Sequence, residues 1–306
     1  MNIEVEYQNI HGDLLHRNYN ISKLGLVKHM AIAGQRYAPS SHKILKTIGM
    51  FFQFSYFLQT NSLQRDKFSL PPNNIYDPTE KGQFSNIAGK AIADFLAKKI
   101  DNSLHTVNYE SAMKMASIPI SVSRPDLLAF TNNSIFAIEA KGFSKKNVSH
   151  SEMLKHKIQS QTGGIPVNYT VASVSYNLYD SVKCKYHDPL NSQIPFDNEL
   201  LAKTTKKYYS GFMDFLEFGN YKEIIYKKEK FYEIDLLSSK FFDMLNNDFI
   251  EYSMKKLLNS KSFKLILPKE VDTYAKNGLT DKTEPFLFDS SNETYIDNDR
   301  IGLQLQ

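Results

Sequence analysis

Apolar residues recur along this chain with two periods, and the changes from one to the other mark out its elements. Between 20 and 64 the spacing is helical, through Ile44, Leu45, Ile48, Phe51, Phe52 and Tyr56. SLPPNNIYDP at 69–78 then breaks the pattern with three prolines and two asparagines. A long helix is expected over 79–99, with Thr79 as its N-cap and Lys98 and Lys99 facing the negative end of its dipole. Two strands follow, over 117–130 and 135–141. SHSEMLKHKIQSQ at 149–161 reads as a helix opened by a capping box, Ser149 with Glu152, and stopped by Gly163 and Gly164. VNYTVASVSYNL at 167–178 is β-branched and aromatic, as strands are, and 183–189 gives another strand ended by Pro189. Beyond 200 the pattern predicts a helix over 205–218, a short strand over 223–235, a helix over 237–258 and a polar tail after Asp281. This order predicts an α/β fold with a mixed central sheet flanked by helices. It divides into a mostly helical N-terminal region (1–70), a core (71–190) and a mixed C-terminal accessory region (191–306) that ends in the acidic tail.

The two strands before position 142 carry the candidate chemistry. They flank Thr131-Asn132-Asn133-Ser134, and asparagine tolerates the positive φ that a two-residue hairpin turn asks for. With the turn centred there, paired positions sum to 265, so Phe130 faces Ile135, Leu128 faces Ala137 and Asp126 faces Glu139. Opposed side chains project to the same side, roughly 5 Å apart. Lys141, two residues beyond Glu139, shares that face. The register thus gathers Asp126, Glu139 and Lys141, and a slip of one residue would scatter them. Leu127, Ala129, Phe136 and Ile138 make the opposite face apolar, which predicts a sheet covered on both sides. Pro125 cannot donate within a ladder, so a bulge or bend is expected just before Asp126. Two carboxylates this close repel each other, and a hard divalent cation with oxygen ligands relieves that repulsion.

Composition narrows the picture only slightly. The 306 residues are 42% hydrophobic and 13% aromatic with no tryptophan, enough for a real core, and 23% are charged. A net charge of +4 does not announce a nucleic-acid binder, but its distribution is uneven. Positions 141–157 hold five lysines and one acid, whereas 281–300 hold six acids and two bases. The single cysteine, Cys184, excludes an internal disulfide and a cysteine-based zinc site. The N-terminal sequence has no apolar signal core, and the stretch 48–58 is too short to span a bilayer, so a cytoplasmic protein without a membrane partner is expected. The glycines form no phosphate loop of the GxxxxGK[ST] kind, which argues against an ATPase. His11 and His16 belong to no zinc pattern, and His150 and His156 read as surface or capping residues. The Lys- and Tyr-rich segment 203–232 reads as a core edge with solvated lysines in preference to a nucleic-acid surface.

Pro125-Asp126 with Glu139-Ala140-Lys141 resembles the signature of the PD-(D/E)xK phosphodiesterase superfamily, whose fold is restriction-endonuclease-like. The likeness spans 79–190 and leaves both ends unmatched. It implies that Asp126, Glu139 and the carbonyl of Ala140 ligate Mg²⁺, with Mn²⁺ as a substitute, and that Lys141 is the catalytic base or positions the attacking water. Members often place another acid on the helix before the hairpin. Glu80, on a helical face with Phe84, Ile87 and Ala91, is the candidate. Some branches use a glutamine on the following helix, and Gln159 and Gln161 are both placed for it. Lys145, Lys146 and Lys155 would contact DNA phosphates, or else form a solvated surface. The implied activity is a DNA endonuclease of type II restriction or phage defence, dimeric so that two sites meet two strands, with a methyltransferase as one possible companion. A binding module that keeps the scaffold without the chemistry is the alternative, and a nuclease for RNA or single strands is a third reading.

Overall fold

In a computed structural model the chain is described at all positions except 10, 35–45, 47–48, 51, 72–76, 121–122, 192–193, 219, 237–261, 279–285, 287–288 and 292. The expected helix over 237–258, and much of the one through Ile44, Leu45, Ile48 and Phe51, lie outside the described residues.

The fold is mixed α/β around a seven-stranded mixed sheet. Its strands are β1 (Asn2–Gln8), β2 (Leu14–Asn20), β3 (His105–Asn108), β4 (Leu127–Phe130), β5 (Ile135–Gly142), β6 (Tyr169–Tyr176) and β7 (Lys183–Asn191), in the order β2-β1-β7-β6-β5-β4-β3. β5 and β6 run parallel, as do β1 and β7, and the other neighbours are antiparallel. The N-terminal region is therefore not a mostly helical appendage. Its first twenty residues extend the central sheet, because Ile3 and Val5 alternate with polar neighbours and are fully buried. Helix α1 (Lys23–Ile32) follows, capped by Ser22, and then the short α2 (Thr60–Leu63).

Helix α3 (Pro78–Ile100) is the long helix that the periodicity predicts, but its N-cap is Asp77, whose carboxylate accepts from the Thr79 amide, with Pro78 in the first turn. The predicted strand over 117–130 proves too long. Only its last four residues are β4, and the segment before it holds α4 (Tyr109–Met115). Helix α5 (His150–Ser160) carries the expected capping box and crosses from β5 to the parallel strand β6.

The C-terminal region builds a second, six-stranded sheet with helices α6 (Asn198–Ser210), α7 (Asp214–Phe218) and α8 (Val271–Asn277). Its strands are β8 (Tyr221–Tyr226), β9 (Glu229–Asp235), β10 (Phe263–Pro268), β11 (Asp289–Ser290), β12 (Thr294–Ile296) and β13 (Gly302–Leu305), in the order β11-β12-β13-β10-β9-β8. The expected strand over 223–235 is the β8–β9 hairpin. The acidic tail is likewise no tail: its described part forms β11 to β13, and Asp297, Asn298 and Asp299 are buried.

Those acids enter a closed ionic network beside α1 and α3. Lys28 Nζ donates to Asp297 and Asp299, at 2.6 Å each. Lys98 Nζ donates to Asp299 at 2.5 Å and to Asp297 at 3.1 Å. Asp94 accepts from Thr106 at 2.6 Å and lies 2.5 Å from His29 Nδ1, while His29 Nε2 lies 2.7 Å from the Tyr295 hydroxyl. Burial pushes the His29 pKa down, so the ring is neutral, donating to Asp94 and accepting from Tyr295. Asp94 and Asp297 resist burial and stay ionised below the usual carboxylate range, since lysines face both. No helix among the described residues is long and apolar enough to cross a membrane.

Candidate active site

The β4–β5 hairpin pairs in the register expected from its sequence. Leu127 faces Ile138 and Phe130 faces Ile135. The Thr131 amide donates to the Ser134 carbonyl at 2.9 Å, leaving Asn132 and Asn133 as the two-residue turn. The turn chemistry differs from expectation, because neither asparagine takes a positive φ. The Thr131 hydroxyl instead accepts from the amides of Asn133 and Ser134.

The regular register ends at Leu127, which faces Ile138, and Asp126 does not extend the expected pairing to Glu139 but bonds to the same Ile138, as in a bulge. The Asp126 amide donates to the Ile138 carbonyl at 3.0 Å, and the Asp126 carbonyl accepts from Tyr109 at 3.2 Å. The chain bends at Asp126, directly after Pro125. Beyond that bend the Ala140 amide has no backbone partner across the ladder and donates instead to Asp126 Oδ2 at 3.3 Å. The N–H and C=O of one strand residue share an edge, so the Ala140 carbonyl also faces Asp126.

Two helices frame the hairpin. Glu139 and Lys141 stand beside Ala172 and Val174 in the ladder, and those two pack on Met153 of α5, so both charged side chains face α5. On the other face α3 presses against the end of β5. A Cβ on Gly89 would stand 2.5 Å from the Lys141 carbonyl carbon, and one on Gly142 would overlap the Ser85 carbonyl oxygen. Only glycine at both positions permits this approach of helix to strand backbone.

The approach also delivers a residue absent from the sequence reading. Lys90 of α3 sets its Nζ 2.7 Å from Asp126 Oδ1. Lys141 Nζ lies 3.3 Å from Asp126 Oδ2 and 2.6 Å from Glu139 Oε1. Asp126 is 18% exposed and Lys141 28%, but the Glu139 side chain has no exposure at all. No backbone amide or hydroxyl among the described residues donates to either Glu139 oxygen. The Lys141 ammonium, an ion-pair partner of Oε1, is the one close cation of that carboxylate among the described residues. Burial first, and the Asp126 charge second, push the Glu139 carboxyl up to about 7 against the opposing pull of Lys141. Burial raises Asp126 as well, but Lys90 and Lys141 outweigh it and hold that carboxyl below its ordinary value.

The remaining candidates divide. Glu80 is not brought to the site. It is exposed in the first turn of α3, and the ten residues between it and Lys90 correspond to about 15 Å of helix. Gln159 donates to the Arg124 carbonyl at 3.3 Å and so ties α5 to the segment before Asp126, whereas Gln161 is exposed at the C-cap. Lys145 pairs with Glu152 and lies over the Phe143 ring, and Lys146 and Lys155 are exposed. His156 is half-buried beside Phe143, and burial, then the Lys141 charge, lowers its pKa, so it borders the site and is no mere surface residue. Among the described residues no three His, Cys, Asp or Glu side chains form a metal-binding cluster. The available oxygens are those of Asp126, Glu139 and the Ala140 carbonyl. They fit a hard cation, and the buried Glu139 carboxylate, with no donor but the Lys141 ammonium among the described residues, is the observation that supports the fit.

No protein-family model, curated protein or solved structure matches this chain.

Proposed function

We propose that the chain is a Mg²⁺-dependent endonuclease on a restriction-endonuclease-like core, hydrolysing DNA phosphodiester bonds in restriction or phage defence. One observation carries the reading. A carboxylate with zero exposure, met at close range only by the Lys141 ammonium among the described residues, stands beside Asp126 at the end of the hairpin. Leaving such a group in an apolar sheet is costly unless a ligand completes it. Asp126, Glu139 and the Ala140 carbonyl would hold the cation, which would supply phosphoryl polarisation and a water of lowered pKa. Lys141 is partly exposed and keeps its proton, since Asp126 and Glu139 outweigh its burial. Its ammonium would orient that water and stabilise charge on the phosphoryl oxygens. Exposed Lys146 and Lys155 would lie along the DNA backbone, and a symmetric dimer would present two sites to a duplex.

Plasmid cleavage in Mg²⁺ tests the proposal. Asp126→Ala, Glu139→Ala and Lys141→Ala should each reduce cleavage by about a thousandfold or more, the equivalent of ~4 kcal/mol of barrier, with the fold retained. Cutting by all three at the wild-type rate would refute the site. Comparing duplex DNA, single-stranded DNA and RNA would fix the substrate class.

A binding module on the same scaffold is the second reading. It draws on the ion pairs of Lys90 and Lys141 with Asp126, which satisfy that carboxylate without a cation. Nuclease activity that vanishes with chelator would exclude it.

A further inference from the structure

The two ammonium groups at Asp126 raise a question of charge. Lys90 and Lys141 bring two positive charges to Asp126 and Glu139, at least as much as the two carboxylates carry. A divalent cation added to that arrangement would enter a site with no negative surplus. It would also compete for Asp126 Oδ1, which Lys90 occupies at 2.7 Å. Lys141 is tied to both carboxylates from the same strand. Lys90, by contrast, comes from α3, pairs among the described residues with Asp126 alone, and has a side chain 34% exposed, so its head can swing to water.

We propose that Lys90 is the internal competitor of the metal, holding Asp126 while the site is empty and leaving it when a divalent cation binds. Lys90 thereby acts through Asp126 as a positioning residue and sets the metal concentration at which the site loads. This rests on the metal-dependent reading above. The backbone contact of Gly89 with Lys141 and Gly142 fixes the start of the Lys90 side chain, so the exchange needs only rotamer changes and no movement of α3.

Calorimetric titration of the full chain with Mn²⁺, without nucleic acid, tests the proposal. Lys90→Met should tighten Mn²⁺ binding by about tenfold or more, the scale on which neighbours of metal ligands shift affinity. Lys90→Arg, which keeps the charge, should bind close to wild type. Tightening is not what damage to the fold would produce, and thermal melting of both variants controls for stability. Equal or weaker Mn²⁺ binding by Lys90→Met overturns the proposal while leaving the metal-dependent reading intact. Absence of Mn²⁺ binding in wild type and Lys90→Met alike overturns both. Mn²⁺ binding by Lys90→Met alone supports the proposal in its strongest form.

Discussion

Within about two turns of helix α3, Lys90 reaches one charged cluster while Asp94 and Lys98 enter another. In the second, Lys28, His29, Asp94, Lys98, Asp297 and Asp299 are at most 2% exposed, and each has at least one short polar partner. Tyr208 and Tyr209 add donors to the side chain and backbone of Asp299. The first cluster is half open, and its deepest member, Glu139, is met at close range only by Lys141 among the described residues. Both bury charge. The second draws many partners from within the chain, and among the described residues Asp297 Oδ2 alone of its carboxylate oxygens lacks a hydrogen bond, whereas the first has two lysines and an open side. Dense partnering among fully buried groups marks architecture, here the docking of the second sheet onto α1 and α3. Incomplete partnering marks a place for a ligand.

That contrast can be broken by substitution. Lys98→Met strands buried carboxylates and should cost about 3–5 kcal/mol in urea unfolding, with cleavage per folded molecule unchanged. Lys141→Met should do the reverse, with a smaller loss of stability and no cleavage. Similar stability losses from both would erase the distinction.

The two clusters should also respond to pH in opposite senses. The folded Glu139 carboxyl is raised from 4.5 to about 7, so folding favours its protonated form. Its stabilising effect is whole below pH 4.5 and is lost as pH rises toward 7. Up to about 3 kcal/mol of metal-free stability should fade across that window, and Glu139→Gln should abolish the slope. Asp94 and Asp297 are depressed, so their contribution is present at neutral pH and fades only on acidification below about 4. Urea midpoints of wild type and Glu139→Gln from pH 3 to 8 would show both limbs, and parallel curves throughout would contradict the assignment.

A milder change acts on the helix that both clusters share. Gly142→Ala should cost about 1–3 kcal/mol, because α3 cannot move off β5 without repacking. The smallest effect concerns the turn. Thr131→Val removes a hydroxyl that accepts two amides and should cost ~1 kcal/mol without moving the register, which amide exchange across β4 and β5 would report.

The hairpin was legible because Asn132-Asn133 between two apolar runs marks a two-residue turn, and the turn length sets the register. The long helix and the α5 capping box were legible for similarly local reasons. Lys90 was not, since in sequence it is one polar residue on an amphipathic helix. The signal that points to it is the glycine pair, Gly89 and Gly142, where helix and strand backbones touch. The closed network joins residues 28, 29, 94 and 98 to 297 and 299, more than 190 positions apart, and no local pattern encodes such a pairing. DND at 297–299, between Ile296 and Ile301, looked like a polar tail. Its apolar neighbours are the trace of its burial. The edge strand β2 escaped notice because it is almost wholly exposed and carries little alternation, and β1 because its buried alternation is confined to Ile3 and Val5.

The central claim is that Asp126 and Glu139 bind a divalent cation. Anomalous diffraction from crystals soaked in Mn²⁺ tests it most directly. The account predicts a peak about 2.1–2.3 Å from a carboxylate oxygen of each residue, with the Ala140 carbonyl as a third ligand and the peak absent in Glu139→Gln. A fully soaked crystal with no Mn²⁺ between Asp126 and Glu139 would contradict it.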